Sequence, residues 1–354
     1  MTSPLPPVLE VEGLKKHFPV NKGLFGRAGA HVHAVDGISF TIGERETLGL
    51  VGESGCGKST AGKLILKLIA PTAGEIKLAG QRIEDLDGES LRQTRRTMQV
   101  VFQDPYSSLN PRMRARDIVA EPLRNFEPMS EADIDTRVGR LFDAVGLRSD
   151  QLTRFPHEFS GGQRQRLVIA RALAVRPSLI VCDEPVSALD VSVQAQVINL
   201  LIDLQKEFGV AYLFIAHDLA VVEHISHRVA VMYLGRIVEI ADKASLFSRP
   251  QHPYTEALLS AVPVPDPTAK RDRVILQGDV PSPIHPPSGC HFHTRCPYAF
   301  DRCKTDRPLM RETKPGHHVA CHLREGEVSR PELPAAAVPI SSEVGANGKS
   351  VGRH

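Results

Sequence analysis

A run of glycines around one lysine is the strongest chemical signal in the sequence. Residues 52–60 contain the pattern G-x-x-x-x-G-K-[ST]. Glycines let successive backbone N–H groups point at phosphate oxygens, while Lys58 reaches the β- and γ-phosphates and the Ser59 hydroxyl binds Mg²⁺. The pattern therefore predicts an ATP site. We assign nine residues to it: Gly52, Glu53, Ser54, Gly55, Cys56, Gly57, Lys58, Ser59 and Thr60.

Two adjacent carboxylates form the second signal. Asp183 and Glu184 follow the apolar run 179–182, which predicts a buried strand that ends in these two acids. The carboxyl ends of parallel strands lie at the edge of the sheet where a phosphate loop also lies. We therefore expect Asp183 to hold Mg²⁺ and Glu184 to orient and polarise an attacking water. The pair predicts hydrolysis as well as binding.

A third motif just before the acidic strand narrows the choice among phosphate-loop proteins. Residues 159–163 read Phe-Ser-Gly-Gly-Gln and resemble the signature sequence of the ABC ATPase family. The helix that follows this motif begins with glycines, which permit close approach of the backbone, so its N-terminus can act as a second phosphate-binding site. The resemblance implies that each ATP lies between the phosphate loop of one subunit and the signature of another, and hence a dimer. Residues 187–190 resemble the family's D-loop. Five residues of the signature and the D-loop are expected to bind the partner's ATP: Ser160, Gly161, Gly162, Gln163 and Asp190.

The other family elements follow in the expected order. Gln103 resembles the glutamine that senses Mg²⁺ and the γ-phosphate, and His217 resembles the switch histidine that donates to the γ-phosphate. With Glu184 they are the expected catalytic residues, and Ser59, Gln103 and Asp183 are the expected Mg²⁺ ligands. Phe18 is the candidate for the aromatic that stacks on adenine, with packing in the core as the alternative.

Three stretches point to one branch of the family. Residues 102–111, 184–196 and 251–255 resemble the ATPases of bacterial dipeptide and oligopeptide importers, specifically the F-type subunit. The resemblance implies a heterodimer with a D-type ATPase, docked on two transmembrane permeases at the cytoplasmic face of the inner membrane. An extracytoplasmic solute-binding protein would supply the peptide. Nickel and glutathione importers use similar subunits, so the solute stays open.

Other classes of ABC protein fit the sequence less well. ATPases of translation or DNA repair carry two ATPase halves or a coiled-coil insertion, and a regulatory subunit should lack Glu184 or His217. The 43 Lys and Arg residues nearly balance the 41 Asp and Glu residues, so no basic field favours a nucleic-acid partner, and we expect none. We expect no secretory leader before the first strand, and the apolar runs are shorter than the roughly 18 residues that span a bilayer. Another chain is therefore expected to supply the membrane spans.

Four cysteines lie near the C-terminus. Cys290, Cys296, Cys303 and Cys321 are separated by 5, 6 and 17 residues. In a reducing compartment such a group favours a metal over disulfides. The same extension in related importer ATPases resembles a [4Fe–4S] region, while structural thiols or a zinc site remain alternatives. The histidines that could join zinc are His291, His293, His317, His318 and His322.

Alternating strands and helices must position these motifs. Apolar runs predict strands at 8–18, 34–40, 46–51, 179–182, 211–216 and 228–233, and helical periodicity predicts helices at 58–70, after Ser130 and at 163–175. The expected class is α/β: an ABC-type P-loop NTPase core with an antiparallel β subdomain, a helical subdomain at about 105–175 and a cysteine-containing C-terminal extension. We place the ATPase domain at 8–244, the extension at 245–323 and a disordered tail at 324–354.

Overall fold

The computed structural model describes residues 7–20, 30–261 and 276–325. These residues form two β-sheets with helices packed between and around them. The predicted tail lies outside the described residues, apart from Arg324 and Glu325. No helix in the described part of the chain is long and apolar enough to cross a membrane.

The smaller sheet is antiparallel and carries the N-terminal strands in the order β2-β1-β4-β5. Its strands are β1 (Leu9–Pro19), β2 (His31–Ile42), β4 (Ala73–Leu78) and β5 (Gln81–Arg82). Gly13 has a φ of 55°, and the pairing of β1 with β2 shifts register between Val11 and Leu14. The glycine predicted to turn within the first strand is therefore a bulge, because the left-handed conformation interrupts regular pairing.

The larger sheet has eight strands and holds the chemical motifs. Its order is β11-β12-β10-β9-β3-β8-β7-β6, and the five strands from β9 to β6 are parallel. The strands are β3 (Thr47–Val51), β6 (Met98–Val101), β7 (Leu179–Asp183), β8 (Ala211–Ile215), β9 (Arg228–Tyr233), β10 (Arg236–Asp242), β11 (Arg311–Lys314) and β12 (His317–Val319). In β8, Tyr212 and Phe214 enter one apolar core, while Leu213 and Ile215 enter another. The parallel part of the sheet is thus covered on both faces, as its apolar strands predict.

Ten α-helices occur in the described residues. They are α1 (Lys58–Ile65), α2 (Gly88–Thr97), α3 (Ala115–Phe126), α4 (Glu131–Ala144), α5 (Gly161–Leu173), α6 (Val191–Phe208), α7 (Leu219–Ile225), α8 (Lys243–Ser248), α9 (Pro253–Ser260) and α10 (Asp301–Thr305). The helix predicted after Ser130 is α4, whose first turn is capped because the Ser130 hydroxyl accepts a hydrogen bond from the backbone N–H of Asp133. Helix α1 is shorter than predicted, and Lys67 just beyond it has a left-handed φ of 48°.

The C-terminal segment is built into the larger sheet. Strand β12 pairs with β10, so residues 317–319 extend the sheet of the ATPase core. A buried carboxylate fixes this junction: Glu239 lies 2.6 Å from Nε2 of His317 and accepts hydrogen bonds from the backbone N–H groups of Gln251 and His252. The predicted boundary at 244/245 falls inside α8. The extension therefore packs against the core as part of one structure.

Candidate active site

The phosphate loop joins β3 to α1 and needs glycine at two positions. Gly57 has a φ of 108°, and a Cβ there would lie 2.0 Å from the carbonyl oxygen of Ala34. A Cβ on Gly52 would lie 2.1 Å from the carbonyl oxygen of Met232. Neighbouring backbone thus comes too close for any side chain, and the N–H groups of the loop can face a ligand.

A cleft of about 360 Å³ lies over this loop. It is lined by Phe18, Val32, Ala34, Ser54, Gly55, Gly57, Lys58, Ser59, Thr60, Glu184 and Pro283. Lys58 is almost fully buried, and its ammonium group donates to the carbonyl oxygens of Gly52 (2.8 Å) and Glu53 (3.0 Å). The Phe18 ring is 37% exposed. A cleft lined by both an aromatic ring and a cation suits a base and its phosphates.

Hydroxyl and carboxylate oxygens meet at the carboxyl end of the parallel strands. The Ser59 hydroxyl donates to Oδ1 of Asp183 at 2.8 Å. Burial raises the pKa of the Asp183 carboxyl group above its usual value. Oxygen ligands from a carboxylate and a hydroxyl are those that Mg²⁺ prefers, so the pair fits that ion.

Glu184 stands next in the chain and is the centre of a polar group. The Nε2 of Gln103 donates to Oε2 of Glu184 at 3.2 Å, and Nδ1 of His217 lies 3.3 Å from the same oxygen. Glu184 has a left-handed φ of 49°, and its backbone N–H donates to the carbonyl of Ile215. A non-glycine residue in this conformation is strained, and such strain is typical of functional sites. The structure thus brings the three predicted catalytic side chains together.

The predicted signature residues lie apart from this cleft. None of residues 160–163, nor Asp190, lines it. Ser160 caps α5 in a reciprocal arrangement, in which its hydroxyl accepts from the N–H of Gln163 and the Gln163 side chain accepts from the N–H of Ser160. Ser160, Gly161 and Asp190 are exposed. The start of α5 is therefore available to another chain.

Comparison with known proteins agrees with this geometry. Residues 35–187 match the family model described as ABC transporter, and residues 238–303 match that described as oligopeptide/dipeptide transporter, C-terminal region. A probable peptide ABC transporter ATP-binding protein, y4tS of Sinorhizobium fredii, is 55% identical over 94% of this chain and 92% of its own length. The chain belongs to the family of ABC transporter ATP-binding proteins. The expected family and fold class are confirmed.

A further relative and two solved structures are also similar to this chain. The oligopeptide transport ATP-binding protein AppF of Bacillus subtilis is 54% identical over 89% of this chain and 97% of its own. Among solved structures, a dimeric ATP-binding cassette, MJ0796, in a post-hydrolysis state with ADP and Pi has a TM-score of 0.59 and 28% identity, covering 66% of this chain and 98% of that one. CbiO1 of Clostridium perfringens has a TM-score of 0.60 and 27% identity, covering 69% and 91%.

Sequence reasoning missed three residues of the ABC ATPase that contact its phosphate loop or cleft from the C-terminal side. The guanidinium of Arg295 donates to both carboxylate oxygens of Glu53 at 2.7 and 3.0 Å. The Tyr254 hydroxyl accepts from the backbone N–H of Glu53 at 2.9 Å, and Pro283 lines the cleft. No spacing rule relates such distant positions. The one available signal was Glu53, an acid in a loop that binds anions.

The four C-terminal cysteines converge although they are distant in sequence. All four are free thiols and line one cavity of about 10 Å³. Burial raises the pKa of Cys290 to about 11 and those of Cys296 and Cys321 to about 12. Among the described residues, the one group whose ligand atoms all lie within 4.8 Å of one another is His17, His33 and Asp36, without any of these cysteines. The thiols are thus not arranged to share a single zinc ion, and the cavity is too small for a cluster as it stands.

Proposed function

We propose that this ABC ATPase energises the import of dipeptides or oligopeptides across the cytoplasmic membrane of a bacterium. The observation that carries the proposal is the convergence of Lys58, Ser59, Asp183 and Glu184 on one cleft. The peptide assignment is supported by the family model over residues 238–303 and by relatives whose names are peptide or oligopeptide transport proteins.

Each side chain of the cleft has a part in ATP hydrolysis. Lys58 exchanges its two backbone carbonyl partners for phosphate oxygens. Ser59, Gln103 and Asp183 would hold Mg²⁺, which would neutralise charge on the phosphates. The Glu184 carboxylate orients and polarises the attacking water. Beside it, His217 donates to the γ-phosphate and Gln103 senses the γ-phosphate.

A second ATPase subunit completes the site. Because the start of α5 is exposed and outside the chain's own cleft, Ser160, Gly161, Gly162, Gln163 and Asp190 serve the nucleotide of the partner. The partner is a D-type ATPase, and the pair docks on two permease subunits at the cytoplasmic face of the inner membrane. An extracytoplasmic binding protein delivers the peptide. ATP binding closes the pair, and hydrolysis reopens it.

The proposal divides the chain into an ATPase domain at 8–244 and an extension at 245–323. In the extension, Cys290, Cys296, Cys303 and Cys321 would supply the four thiolates of a [4Fe–4S] cluster, which is supported by the fact that all four are free thiols lining one cavity. Loading requires the cavity to widen. Anaerobically purified protein should contain iron and sulfide, and Cys290→Ser should remove them while Cys182→Ser, in the sheet, should not. Iron-free protein would refute this part alone.

The import proposal is tested by isolating the tagged chain from gently solubilised membranes and assaying ATPase activity in the eluate. We expect two multi-span permeases and a second ATPase to copurify, with ATP hydrolysis. The matched control is a Lys58→Ala chain, which should recover the same partners without hydrolysis because the phosphate-binding cation is gone. Recovery with ribosomal or DNA-processing proteins and no membrane partner would refute the transport function.

A further inference from the structure

An ion pair joins the C-terminal segment to the phosphate loop. Arg295 and Glu53 make two parallel hydrogen bonds of 2.7 and 3.0 Å, and their side chains are only 8% and 27% exposed. Such bidentate pairs fix orientation as well as distance. We propose that Arg295 is a positioning residue of the ATPase site, through which the C-terminal segment sets the conformation of the phosphate loop. This inference rests on the proposed ATP hydrolysis.

All three polar groups of Glu53 are engaged. Its carboxylate binds Arg295, its backbone N–H donates to the hydroxyl of Tyr254, and its carbonyl accepts from the ammonium group of Lys58. Lys58 must leave that carbonyl when it turns to the phosphates, so the loop then loses one of its internal contacts. Arg295 and Tyr254 keep Glu53 in place during this exchange, since neither residue lines the cleft.

Arg295 and Tyr254, which hold Glu53, pack against a cluster of buried aromatic rings. Tyr254 and Phe292 are almost completely buried, and both pack against Tyr233 with ring centroids 4.7 and 5.2 Å away. The guanidinium of Arg295 lies 6.0 Å from the centroid of the Tyr233 ring. Close-packed aromatic rings allow little movement. Arg295 is therefore held in one position and can define that of Glu53.

The same segment also contacts a turn of the ATPase core that supports the loop at a second point. The backbone N–H of Gly235, in the turn between β9 and β10, donates to the carbonyl of Cys56 at 2.9 Å. Behind this turn, Nδ1 of His291 lies 3.2 Å from the carbonyl oxygen of Leu234. Glu53 is thus held by residues of the C-terminal segment, and Cys56 is held by a turn that this segment contacts.

The test is steady-state ATP hydrolysis by the complete transporter with Arg295→Ala, Arg295→Lys and Glu53→Gln. We expect KM for ATP to rise about tenfold in Arg295→Ala while kcat changes less, because the groups that act on the γ-phosphate stay in place. Arg295→Lys should recover part of the loss. Combining Arg295→Ala with Glu53→Gln should cost no more than either change alone, because both remove one interaction.

The matched control is Arg302→Ala, which breaks the 2.8 Å ion pair with Glu325 elsewhere in the segment and should keep the parent KM. A parent-like KM in both Arg295→Ala and Glu53→Gln, or losses that simply add in the double variant, would overturn the positioning role. If Arg295→Ala does not fold, Arg295→Lys and Glu53→Gln decide by the same criterion. If the parent transporter itself showed no ATPase activity, the proposed function would be refuted instead.

Discussion

Asp36, in strand β2 of the smaller sheet, offers a quantitative test of how a buried carboxylate stabilises the fold. The carboxylate is 7% exposed, and its Oδ2 accepts two hydrogen bonds from Arg236 at 2.9 and 2.7 Å. Its Oδ1 lies 3.1 Å from Nε2 of His17, the residue before Phe18. Burial alone would raise the pKa of Asp36, but hydrogen bonds and charge from Arg236, with the contact to His17, lower it from 3.8 to about 2.

The sign of the pH effect follows from this lowered pKa. A carboxyl group whose folded-state pKa lies below its unfolded value stabilises the fold fully above the unfolded value. That contribution is lost as the pH falls from about 4 to about 2. The change from 3.8 to about 2 corresponds to about 2 kcal/mol of stability at neutral pH.

The perturbation is Asp36→Asn, compared with Asp203→Asn as a control at an exposed ion pair with Lys206. Urea unfolding followed by circular dichroism should show a loss of about 2 kcal/mol for Asp36→Asn at pH 7 and a change under about 0.5 kcal/mol for the control. The difference between parent and Asp36→Asn should shrink below about pH 4. Equal stability at pH 7, or a difference that does not depend on pH, would refute the reasoning.

Three further predictions concern catalysis. Glu184→Gln should keep ATP binding and lose at least about 100-fold in hydrolysis rate, because the amide keeps the shape of the side chain but cannot act as a base. The control, Glu223→Gln at an exposed position, should hydrolyse ATP at the parent rate. A parent rate in Glu184→Gln would contradict the catalytic role of Glu184. Phe18→Ala should raise KM for ATP by about tenfold without changing kcat, since a stacked base contributes about 1–3 kcal/mol; an unchanged KM would assign Phe18 to packing. Ser160→Arg should leave fluorescent-nucleotide binding by the isolated chain intact and abolish hydrolysis in the assembled pair, and retained hydrolysis would exclude the sandwich arrangement.

Local sequence was sufficient for the elements that carry the chemistry. The glycines of the phosphate loop are required by backbone contacts as close as 2.0 Å, so their pattern predicts the loop directly. The wholly apolar strand β8 and the serine cap of α4 were also predictable, because burial on both faces and helix capping each leave a local signature. The interpretation of Asp183 and Glu184 as neighbours of the loop followed from the rule for parallel strands.

Tertiary structure alone decided how the C-terminal segment relates to that site. Strands β11 and β12 are short and polar, and they form because β12 finds an open edge at β10. The pairing of Arg295 with Glu53 and the convergence of four thiols on one cavity join residues whose separation carries no periodicity. Such contacts depend on how complete elements pack together, and packing between distant surfaces leaves no pattern in neighbouring residues. The sequence by itself therefore determined an ATP-hydrolysing cleft, and only the folded chain determined what holds its phosphate loop in place.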